Sequence, residues 1–581
     1  MIAAVWGRLW RMHDETKSLF VFRPKAMAER LTRGHLLFSK SRQEKDVDLA
    51  DEMEDAPAEH NIKCTPDGCD DDDPREYSRR QMIGLWLGPL LFTLMLVLPT
   101  PAGMEAPAQK MAALALLMAT WWMCESLPIP ATSLLPIVLF PWLGILSTGK
   151  AAAPYANHLI FLFMGGFIIA LSMQRWNLHR RIAMNIVKVV GFSPSRLILG
   201  FMVATAALSA FVSNTATTVM MMPIGLAIIT HVITEGKKEG LDKTIDFSPE
   251  QFAFGLNLML GIAYAASIGG VATLIGTPPN TVLAGYLNKT YGYEITFARW
   301  MMFGVPLVLI MLPLCWLWLT RVANPMKLKK VPGGRDLINE ELRQMGRMSA
   351  GERWTGQVFF LTAMAWIFRK QLSFLFPDPS LITDATIAMA GGLVLFLIPI
   401  SLKKNIFVMD WHWASKMPWG VLLLFGGGLA LAEGFKVTGL AVWIGSRVTL
   451  LEHAPVLILV IAVTTLIIFL TELTSNTATA AMVMPILSAI AIGLGQNPML
   501  LLIPAAVAAS CAFMLPVATP PNAIVFGSGY VTIPQMVKSG FGLNLISIVL
   551  AVVVTYLLAV PIFEIVIDQV PLWAAASVTG Q

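Results

Sequence analysis

Charge is scarce in this sequence, and most of it lies outside the long apolar segments. Asp, Glu, Lys and Arg make up only 14% of the 581 residues, whereas hydrophobic residues make up 56%. An average globular protein has about 25% charged residues. The five cysteines are scattered, which argues against a disulfide framework. These shortages exclude an ordinary soluble enzyme and indicate a chain that crosses a membrane several times.

The first 80 residues differ in composition from the rest. Up to residue 35, basic residues alternate with short apolar runs, without the uninterrupted apolar core of a signal peptide. These 35 residues either lie on the membrane surface as a helix or form a flexible tail. Residues 44–75 are acidic and typical of disorder. Cys64 and Cys69 lack the further ligands of a structural metal site. We expect residues 1–80 to form a cytoplasmic, mostly disordered tail.

Apolar segments of membrane-spanning length recur between residues 81 and 566. A crossing helix needs about 20 apolar residues. Two apolar segments, 194–233 and 454–494, are too long for one crossing and contain a polar cluster near the middle. We expect each to fold back as a re-entrant hairpin, in an all-α polytopic membrane fold. About eleven further segments are predicted to be membrane helices: 81–99, 109–127, 131–147, 156–174, 254–287, 301–320, 356–376, 381–400, 417–433, 499–527 and 541–566.

The distribution of Lys and Arg between the loops predicts the orientation of the chain. With both long segments folded as hairpins, the N-terminus and nearly all basic loop clusters are cytoplasmic. The exception is Arg369–Lys370, near the outer end of the seventh helix. The pattern predicts a protein of the cell (inner) membrane with an external C-terminal tail, residues 567–581. The cytoplasmic clusters lie at 175–196, 236–243, 321–353 and 403–404.

Three motifs occur twice in the same order. Nine of twelve residues in Ser213–Ile224 (SNTATTVMMMPI) are identical in Ser475–Ile486 (SNTATAAMVMPI), and the two segments start 262 residues apart (475 − 213). The glycine pair Gly165–Gly166 recurs at Gly427–Gly428 with the same separation, and TPPN at 277–280 recurs at 519–522.

Five predicted crossings separate equivalent points of the two halves, and an odd number reverses their orientation. The chain therefore contains inverted repeats, an arrangement that places substrate and ion sites at the repeat interface of many secondary transporters. We expect the first repeat, with leading scaffold helices, in residues 81–320, and the second in residues 356–566. Residues 321–355 form a cytoplasmic linker.

Each Ser-Asn-Thr cluster lies where a hairpin turns inside the membrane, so its backbone must be buried in protein or line a wet cavity. Ser and Asn cap helix N-termini, so the second arm starts there and directs free N–H groups toward a bound anion. The consecutive prolines of each TPPN motif break a helix and free carbonyl oxygens, which suit a hard cation such as Na⁺. The hydroxyls of Ser209 and Thr471 lie one helical turn before the clusters.

Neither cluster contains Lys or Arg, so a bound anion would be balanced mainly by co-bound cations and helix ends. This gives a physical basis for coupling an anion to a cation gradient. Glu125 and Glu472 are carboxylates within apolar segments, where a functional role is the first hypothesis. A structural role is an equally good interpretation of Glu472, which lies beside the second cluster.

Together with CAFMLPVATPPNAIVFG at 511–527, these motifs resemble the divalent anion/sodium symporter family, whose best-known members are the INDY-type dicarboxylate carriers. The resemblance covers residues 80–566. It implies a homodimer in which a transport domain moves against a scaffold in an elevator motion. It also implies surface helices at 175–191 and 434–449 and two sodium sites related by the repeat.

The resemblance further implies which residues bind each ligand. The first sodium site would consist of Ser209, Ser213, Asn214 and Gly276, and the second of Thr471, Thr474, Asn476 and Ala518. The substrate carboxylates would contact Ser213, Asn214, Thr215, Ser475, Asn476 and Thr477, with Thr277, Pro278, Thr519 and Pro520 on the other wall.

The expected function is sodium-coupled symport of C4 dicarboxylates such as succinate, malate and fumarate, with Na⁺ as the co-transported ion. Two alternatives share the fold: a sodium-independent dicarboxylate exchanger, and a carrier of sulfate or citrate. A channel would need a continuous polar pore, whereas the polar residues cluster at one depth. An enzyme would need a nucleophile–base pair or metal ligands within the membrane, and the sequence does not predict either.

Overall fold

The computed structural model describes residues 77–241, 245–328, 330–331, 334–378, 381–447 and 455–575, and two short strands nearer the N-terminus. These strands, β1 Cys64–Thr65 and β2 Gly68–Cys69, pair antiparallel with Cys64 opposite Cys69. The chain divides into two units, Met1–Met82 and Ile83–Gln581. The hypotheses of a surface helix in residues 1–35 and, apart from the strands, of disorder over 44–75 lie outside the described residues. Residues 576–581 of the predicted external tail do so too.

Helices make up most of the described chain. A 3₁₀ turn, Ala153–Ala156, and a π-helical turn, Trp318–Ala323, interrupt or extend them in the first half. The helices of this half are α1 Arg79–Val97, α2 Ala106–Cys124, α3 Ile129–Thr132, α4 Leu135–Leu143, α5 Thr148–Ala152, α6 His158–Arg175, α7 Leu178–Val190, α8 Pro194–Ser209, α9 Asn214–Lys238, α10 Ala253–Gly270, α11 Pro278–Tyr291 and α12 Phe297–Leu317.

The second half has the same character. Strands β3 Pro399–Ser401 and β4 Ile406–Phe407 form a small hairpin, and a π-helical turn, Thr555–Ala559, follows α24. The helices are α13 Gly334–Gln344, α14 Ala350–Ile367, α15 Arg369–Ser373, α16 Asp384–Leu397, α17 Trp411–Ala414, α18 Trp419–Val437, α19 Leu440–Ser446, α20 Val456–Thr471, α21 Asn476–Gly493, α22 Met499–Ala509, α23 Pro520–Phe526, α24 Ile533–Val554, α25 Val560–Ile562 and α26 Leu572–Ala575.

Within the described residues, eight helical segments are long and apolar enough to cross a membrane. The all-α class of the fold is therefore confirmed, while the number of crossings stays a prediction. The eight are Arg79–Val97, Thr148–Arg175, Asn214–Lys238, Ala253–Gly270, Phe297–Ala323, Trp419–Val437, Asn476–Gly493 and Ile533–Ile562.

The repeat is visible in where helices start. Helices α7, α8 and α9 have counterparts α19, α20 and α21 that each begin 262 residues later (440 − 178, 456 − 194 and 476 − 214). Both α8 and α20 have 16 residues, a length of roughly 24 Å at 1.5 Å per residue. This is shorter than a hydrocarbon core of about 30 Å. Each long apolar segment is thus two helices with a break at its polar cluster, as a hairpin requires.

Four segments expected as single helices are broken, and one of them, 356–376, divides between α14 and α15. The segment 254–287 is interrupted between α10 and α11, and 499–527 between α22 and α23, because the paired prolines of TPPN lack N–H groups and can only begin a new helix. In both cases the Thr of TPPN is the N-cap residue. The segment 131–147 is likewise divided between α3 and α4.

The repeated glycine pairs mark close contacts between helices. A Cβ on Gly165 of α6 would overlap with the backbone of Ala388 in α16, and a Cβ on Gly427 of α18 would lie 2.5 Å from the Ser133 carbonyl oxygen. No side chain fits at either position without moving the neighbouring backbone. These glycines therefore bring α6 and α18 against neighbouring helices in both halves.

The helices next to the breaks pack both within each half and against the other half. Within each half, the first hairpin arm packs on the helix before the break: α8 on α10, and α20 on α22. Between the halves, α9 packs on α23 and α21 packs on α11. Each helix that starts at a Ser-Asn-Thr cluster therefore lies against the helix that starts at the TPPN motif of the other half.

Candidate transport site

The first cluster joins the end of α8 to the start of α9. Ser213 is the N-cap of α9, and its hydroxyl accepts a hydrogen bond from the Ala216 N–H at 3.3 Å. Ser209, the last residue of α8, is buried, and its hydroxyl lies 2.7 Å from the Ala266 carbonyl oxygen in α10. The cap forms as the sequence predicts, and it leaves Asn214 at the first position of the helix.

The Asn214 amide contacts three oxygen atoms. Its oxygen and nitrogen are best exchanged, because Ser209 has one hydroxyl proton and donates it to Ala266. The Asn214 Nδ2 then donates to Ser209 Oγ at 2.6 Å, to the Ala266 carbonyl at 3.1 Å and to the Gly276 carbonyl at 3.3 Å. Three of the four residues predicted for the first sodium site, Ser209, Asn214 and Gly276, therefore meet in the structure.

Side chains hold the first helix break in shape. Thr273 Oγ1 donates to the Ala210 carbonyl and accepts from the Gly276 N–H at 3.1 Å. Asn280, of TPPN, donates from Nδ2 to the carbonyls of Gly270 at 3.2 Å and Thr273 at 2.8 Å. The carbonyl oxygens freed by the break are thus gathered around a few donors beside the first tip.

The second cluster repeats the contact between a hydroxyl and the tip asparagine, but Ser475, the N-cap residue of α21, makes no capping hydrogen bond with its side chain, contrary to the prediction. The Thr471 hydroxyl lies 2.6 Å from Asn476 Oδ1 and 3.0 Å from the Ala509 carbonyl, as Ser209 does with Asn214 and Ala266. Thr474 Oγ1 instead donates to the Leu470 carbonyl at 2.9 Å or pairs with Thr479 at 2.6 Å. The hydroxyl of Thr474 is therefore occupied within the hairpin, whereas Thr471 and Asn476 face the break.

The second break is held by Asn522 and by Glu472. Asn522 Nδ2 donates to the carbonyls of Ala512 at 3.1 Å and Leu515 at 3.0 Å, as Asn280 does in the first half. The Glu472 carboxylate accepts the N–H groups of residues 513, 514 and 515, at 2.7–3.2 Å. The contacts of Glu472 are therefore with the backbone of the second break.

The two breaks lie next to each other. Thr277 Oγ1, at the first TPPN motif, is 3.5 Å from Ser510 Oγ, at the end of α22. The Tyr264 hydroxyl of α10 donates to the Phe513 carbonyl at 2.7 Å. The halves therefore meet at their polar breaks, which brings both predicted walls of the site into one region.

Exposure separates the predicted residues into two groups. Ser209, Gly276, Thr471, Thr474 and Ala518, all predicted sodium ligands, are buried, and so are Thr277 and Thr519. The predicted substrate-binding residues that are accessible or partly so are Ser213, Asn214, Thr215, Pro278, Ser475, Asn476, Thr477 and Pro520. The assignments themselves remain predictions. We call the two sets the buried layer and the accessible layer; the predicted sodium ligands Ser213, Asn214 and Asn476 belong to the accessible layer.

Electrically, the region is almost neutral. The segments 209–218, 270–281, 471–480 and 510–522 contain a single charged side chain, Glu472. Within the described residues, Asn280 Oδ1 and Asn522 Oδ1 are buried and accept no hydrogen bond. Oxygen atoms without a donor in a region without Lys or Arg favour a cation as a ligand.

Sequence reasoning did not identify Thr273, Ser510 or Tyr264. The partners that join them to distant segments lie 63 or more residues away along the chain, and a single Thr or Ser in an apolar helix has no recognisable motif. The amide nitrogens of Asn280 and Asn522 hold the breaks, a role that sequence reasoning did not assign to them.

A family model described as the sodium:sulfate symporter transmembrane region matches residues 80–564. The chain therefore belongs to this family of integral membrane transporters, and the family inferred from the twin motifs is confirmed.

Curated relatives agree with this membership. The sodium-dependent dicarboxylate transporter SdcS of Staphylococcus saprophyticus is 46% identical over 497 residues, covering 85% of this chain and 94% of its own. SdcS of Staphylococcus aureus strain USA300 is 46% identical over 498 residues with the same coverage.

Solved structures share the fold at low identity. MtrF of Neisseria gonorrhoeae aligns with a TM-score of 0.51 and 13% identity, covering 84% of this chain and 97% of MtrF. The YdaH transporter of Alcanivorax borkumensis aligns with a TM-score of 0.52 and 14% identity, covering 84% and 100%. These likenesses concern the fold alone.

Proposed function

We propose that this protein is a sodium-coupled symporter of C4 dicarboxylates, with succinate, malate and fumarate as the substrate class. One observation carries the proposal: each half pairs a hydroxyl and an amide at a hairpin tip with carbonyl oxygens of a broken helix. These pairs are Ser209 with Asn214, and Thr471 with Asn476. The names of the curated relatives, sodium-dependent dicarboxylate transporters, support the same cation and substrate.

The proposed sodium site of each half combines buried residues with the partly exposed asparagine at the hairpin tip. In the first half, the oxygens of Ser209 and Gly276 lie 2.6 and 3.3 Å from the side-chain nitrogen of Asn214. In the second half, Thr471 and Asn476 occupy the matching positions, with Ala518 corresponding to Gly276 (518 − 276 = 242). Oxygen ligands from hydroxyls, amides and carbonyls suit a hard cation without a protein carboxylate.

The accessible layer is the proposed dicarboxylate site. Helices α9 and α21 both begin there, so their unpaired N–H groups and positive dipole ends face a bound carboxylate. Two carboxylates of one substrate would each take one helix end, with Thr215 and Thr477 at the first turns. Because no Lys or Arg neutralises the dianion, bound sodium ions complete the charge balance, and this couples the two ligands.

We further propose that transport is an elevator motion within a homodimer. The surface helix α7 is tied to the region of the linker by two ion pairs, Arg180 with Glu341 at 2.5 Å and Arg181 with Glu352 at 2.7 Å. Arg181 also donates to the Met345 and Gly346 carbonyls at the end of α13. An arm held in this way can stay fixed while the tips and breaks move, with the N-terminus on the cytoplasmic side.

The test is uptake of radiolabelled succinate by proteoliposomes that contain the purified protein. An inward sodium gradient should raise uptake at least about tenfold over an equal gradient of choline, since the cation balances the substrate charge. Unlabelled malate and fumarate should compete.

Other outcomes separate the alternatives. Equal uptake with and without sodium, but dependent on internal succinate, would indicate an exchanger. Sodium-dependent uptake of sulfate or citrate in place of succinate would keep the coupling and change the substrate. Empty liposomes and liposomes with Asn214→Asp protein are the controls for leak and for the site.

A further inference from the structure

The two helix breaks are held by different chemistry at equivalent positions. Position 210 in the first half corresponds to 472 in the second (472 − 210 = 262), and position 273 corresponds to 515 (515 − 273 = 242). In the first half these residues are Ala210 and Thr273, and the Thr273 hydroxyl donates to the Ala210 carbonyl. In the second half they are Glu472 and Leu515, and the Glu472 carboxylate accepts the Leu515 N–H at 3.2 Å. In the first half the side chain that makes the contact is the hydroxyl of Thr273, in the broken segment. In the second half it is the carboxylate of Glu472, at the hairpin tip.

Glu472 binds more than one backbone group. Its Oε1 accepts from Phe513 N at 2.7 Å and Met514 N at 3.0 Å, and its Oε2 from Met514 N at 3.0 Å and Leu515 N at 3.2 Å. Asn544 Nδ2 of α24 donates to Oε1 at 2.7 Å. The residue is only 3% exposed. Three consecutive N–H groups of a partly buried helix break need an acceptor, and one ionised carboxylate supplies it with strong hydrogen bonds.

We propose that Glu472 is a positioning residue for the second cation site: its carboxylate fixes the unwound segment 510–519, which leads to Ala518 and Thr519. This inference rests on the proposed function. Glu472 follows Thr471 directly, so the same residue also ties the segment to the hairpin tip. The three N–H groups are consumed by Glu472 and do not bind substrate. The first half achieves the same end without a charge.

One consequence is an electrical difference between the two cation sites. The second lies beside a fixed negative charge, whereas Ala210 supplies none at the first. A cation is therefore favoured at the second site before the substrate arrives, and the first depends more on the charge of the substrate.

The test compares Glu472→Gln with wild type. Glutamine keeps the length of the side chain but turns an amide NH₂ toward backbone donors, so the segment loses part of its support. The sodium concentration for half-maximal succinate uptake should rise about tenfold, which corresponds to about 1.4 kcal/mol. The maximal rate at saturating sodium should change much less. Asn544→Leu removes one donor to the same carboxylate and should shift sodium dependence in the same direction by a smaller factor.

A second readout does not depend on transport. Hydrogen–deuterium exchange of the peptide over 510–519 is followed as sodium replaces choline. In wild type, sodium should slow exchange of this peptide; in Glu472→Gln, the basal exchange should be faster and more sodium should be needed. The peptide over 270–277 should exchange alike in both proteins, since Thr273 holds that break.

The matched control is Asp384→Asn, which also removes a buried carboxylate, at the Arg369 ion pair and not at a break. It should leave the sodium dependence of uptake and exchange unchanged. If wild type shows no sodium-driven uptake, the proposed function fails, and the exchange titration alone decides the role of Glu472. The inference is overturned if Glu472→Gln keeps the wild-type sodium dependence, whether or not exchange of 510–519 accelerates, or if sodium does not protect this peptide in wild type.

Discussion

At the scale of single residues, the candidate site depends on short polar side chains whose amide N–H groups are all engaged, while the Oδ1 atoms of Asn280 and Asn522 have no donor. Asn214 donates to three oxygens, and Asn280 and Asn522 draw the carbonyls of the breaks together. Changing one donor or one side-chain size should therefore reduce stability or transport strongly, because a buried donor or acceptor without a partner costs free energy.

Changing a tip asparagine to aspartate should abolish transport. Asn214→Asp places a carboxylate against the oxygens of Ser209, Ala266 and Gly276 and adds a negative charge at the proposed site of the substrate dianion. Sodium-driven succinate uptake should fall at least about a hundredfold, as expected for the loss of two hydrogen bonds to a buried group. Asn476→Asp should act in the same way through its charge. Asn185→Asp, on the exposed side of α7, is the control; wild-type uptake by Asn214→Asp protein would remove this residue from the site.

Glycine is required at position 276 but not at its counterpart. A Cβ on Gly276 would overlap with the Gly270 carbonyl oxygen and lie 2.9 Å from that of Ala210, whereas position 518 already carries a Cβ. Gly276→Ala should cost about 1–3 kcal/mol of stability through overpacking and eliminate sodium-driven uptake. Ala518→Gly should keep uptake within about threefold, since only a methyl group is lost. Thermal unfolding and uptake of both variants measure this, and equal effects of the two would contradict it.

At the scale of helices, ion pairs explain the one exception to the predicted distribution of basic residues. Arg369, at the start of α15, lies 2.6 Å from Glu294 and 3.5 Å from Asp384, the first residue of α16. Asp384 also accepts the Phe297 N–H at the start of α12, at 2.7 Å. The positive charge of Arg369 on the predicted outer side is therefore neutralised by nearby carboxylates. These contacts join the starts of α12, α15 and α16.

Removing this cation should weaken the packing of these helices. In Arg369→Met protein, the Asp384 side chain, 5% exposed, keeps its charge without a basic partner. Stability should fall by about 3–5 kcal/mol, and Asp384→Asn in the same protein should recover part of the loss. Arg299→Met is the control: its partner Glu564 is 83% exposed, so the cost should stay below about 1 kcal/mol. Denaturation in detergent measures all three; similar losses for Arg369→Met and Arg299→Met would contradict the prediction.

At the scale of the whole molecule, helices from both repeats pack against each other around the candidate site. Helix α9 packs on α23, and α21 packs on α11, so the helix that starts at each tip lies against the helix that starts at the break of the other half. In the mechanism that we propose, the sodium ions and the substrate cross the membrane together. The net charge of the loaded site then decides how the membrane potential affects transport.

Transport should be electrogenic. We predict that three sodium ions accompany each dianion, one more than the two proposed sodium sites hold, so one positive charge enters per cycle, which is worth about 2.3 kcal/mol per 100 mV. A potassium diffusion potential of 100 mV, negative inside, should then raise the accumulation of succinate about fiftyfold at a constant sodium gradient. Accumulation in proteoliposomes with and without valinomycin measures this. No response to the potential would instead indicate two sodium ions per dianion.

Much of the architecture follows from the sequence alone. The apolar segments predict an all-α membrane protein, and the spacing of 262 residues predicts helices that start at equivalent points, such as Pro194 and Val456. The prolines of TPPN predict a break in each of two helices, although the apolar segments 254–287 and 499–527 were expected as single helices, and Ser213 predicts its own cap. These features were accessible because each depends on residues close together in the chain: hydrophobic length, missing N–H groups and local side-chain bonds.

Only the tertiary structure decided how the breaks are held. Thr273 reaches Ala210, and Glu472 reaches the backbone of Phe513 and Leu515, each across a gap of about forty or more residues. The repeated motifs do not predict whether a hydroxyl or a carboxylate holds the break, because positions 210 and 472, and 273 and 515, carry different residues. Such contacts depend on which helices become neighbours, and that is settled by the packing of the whole chain, not by any local pattern.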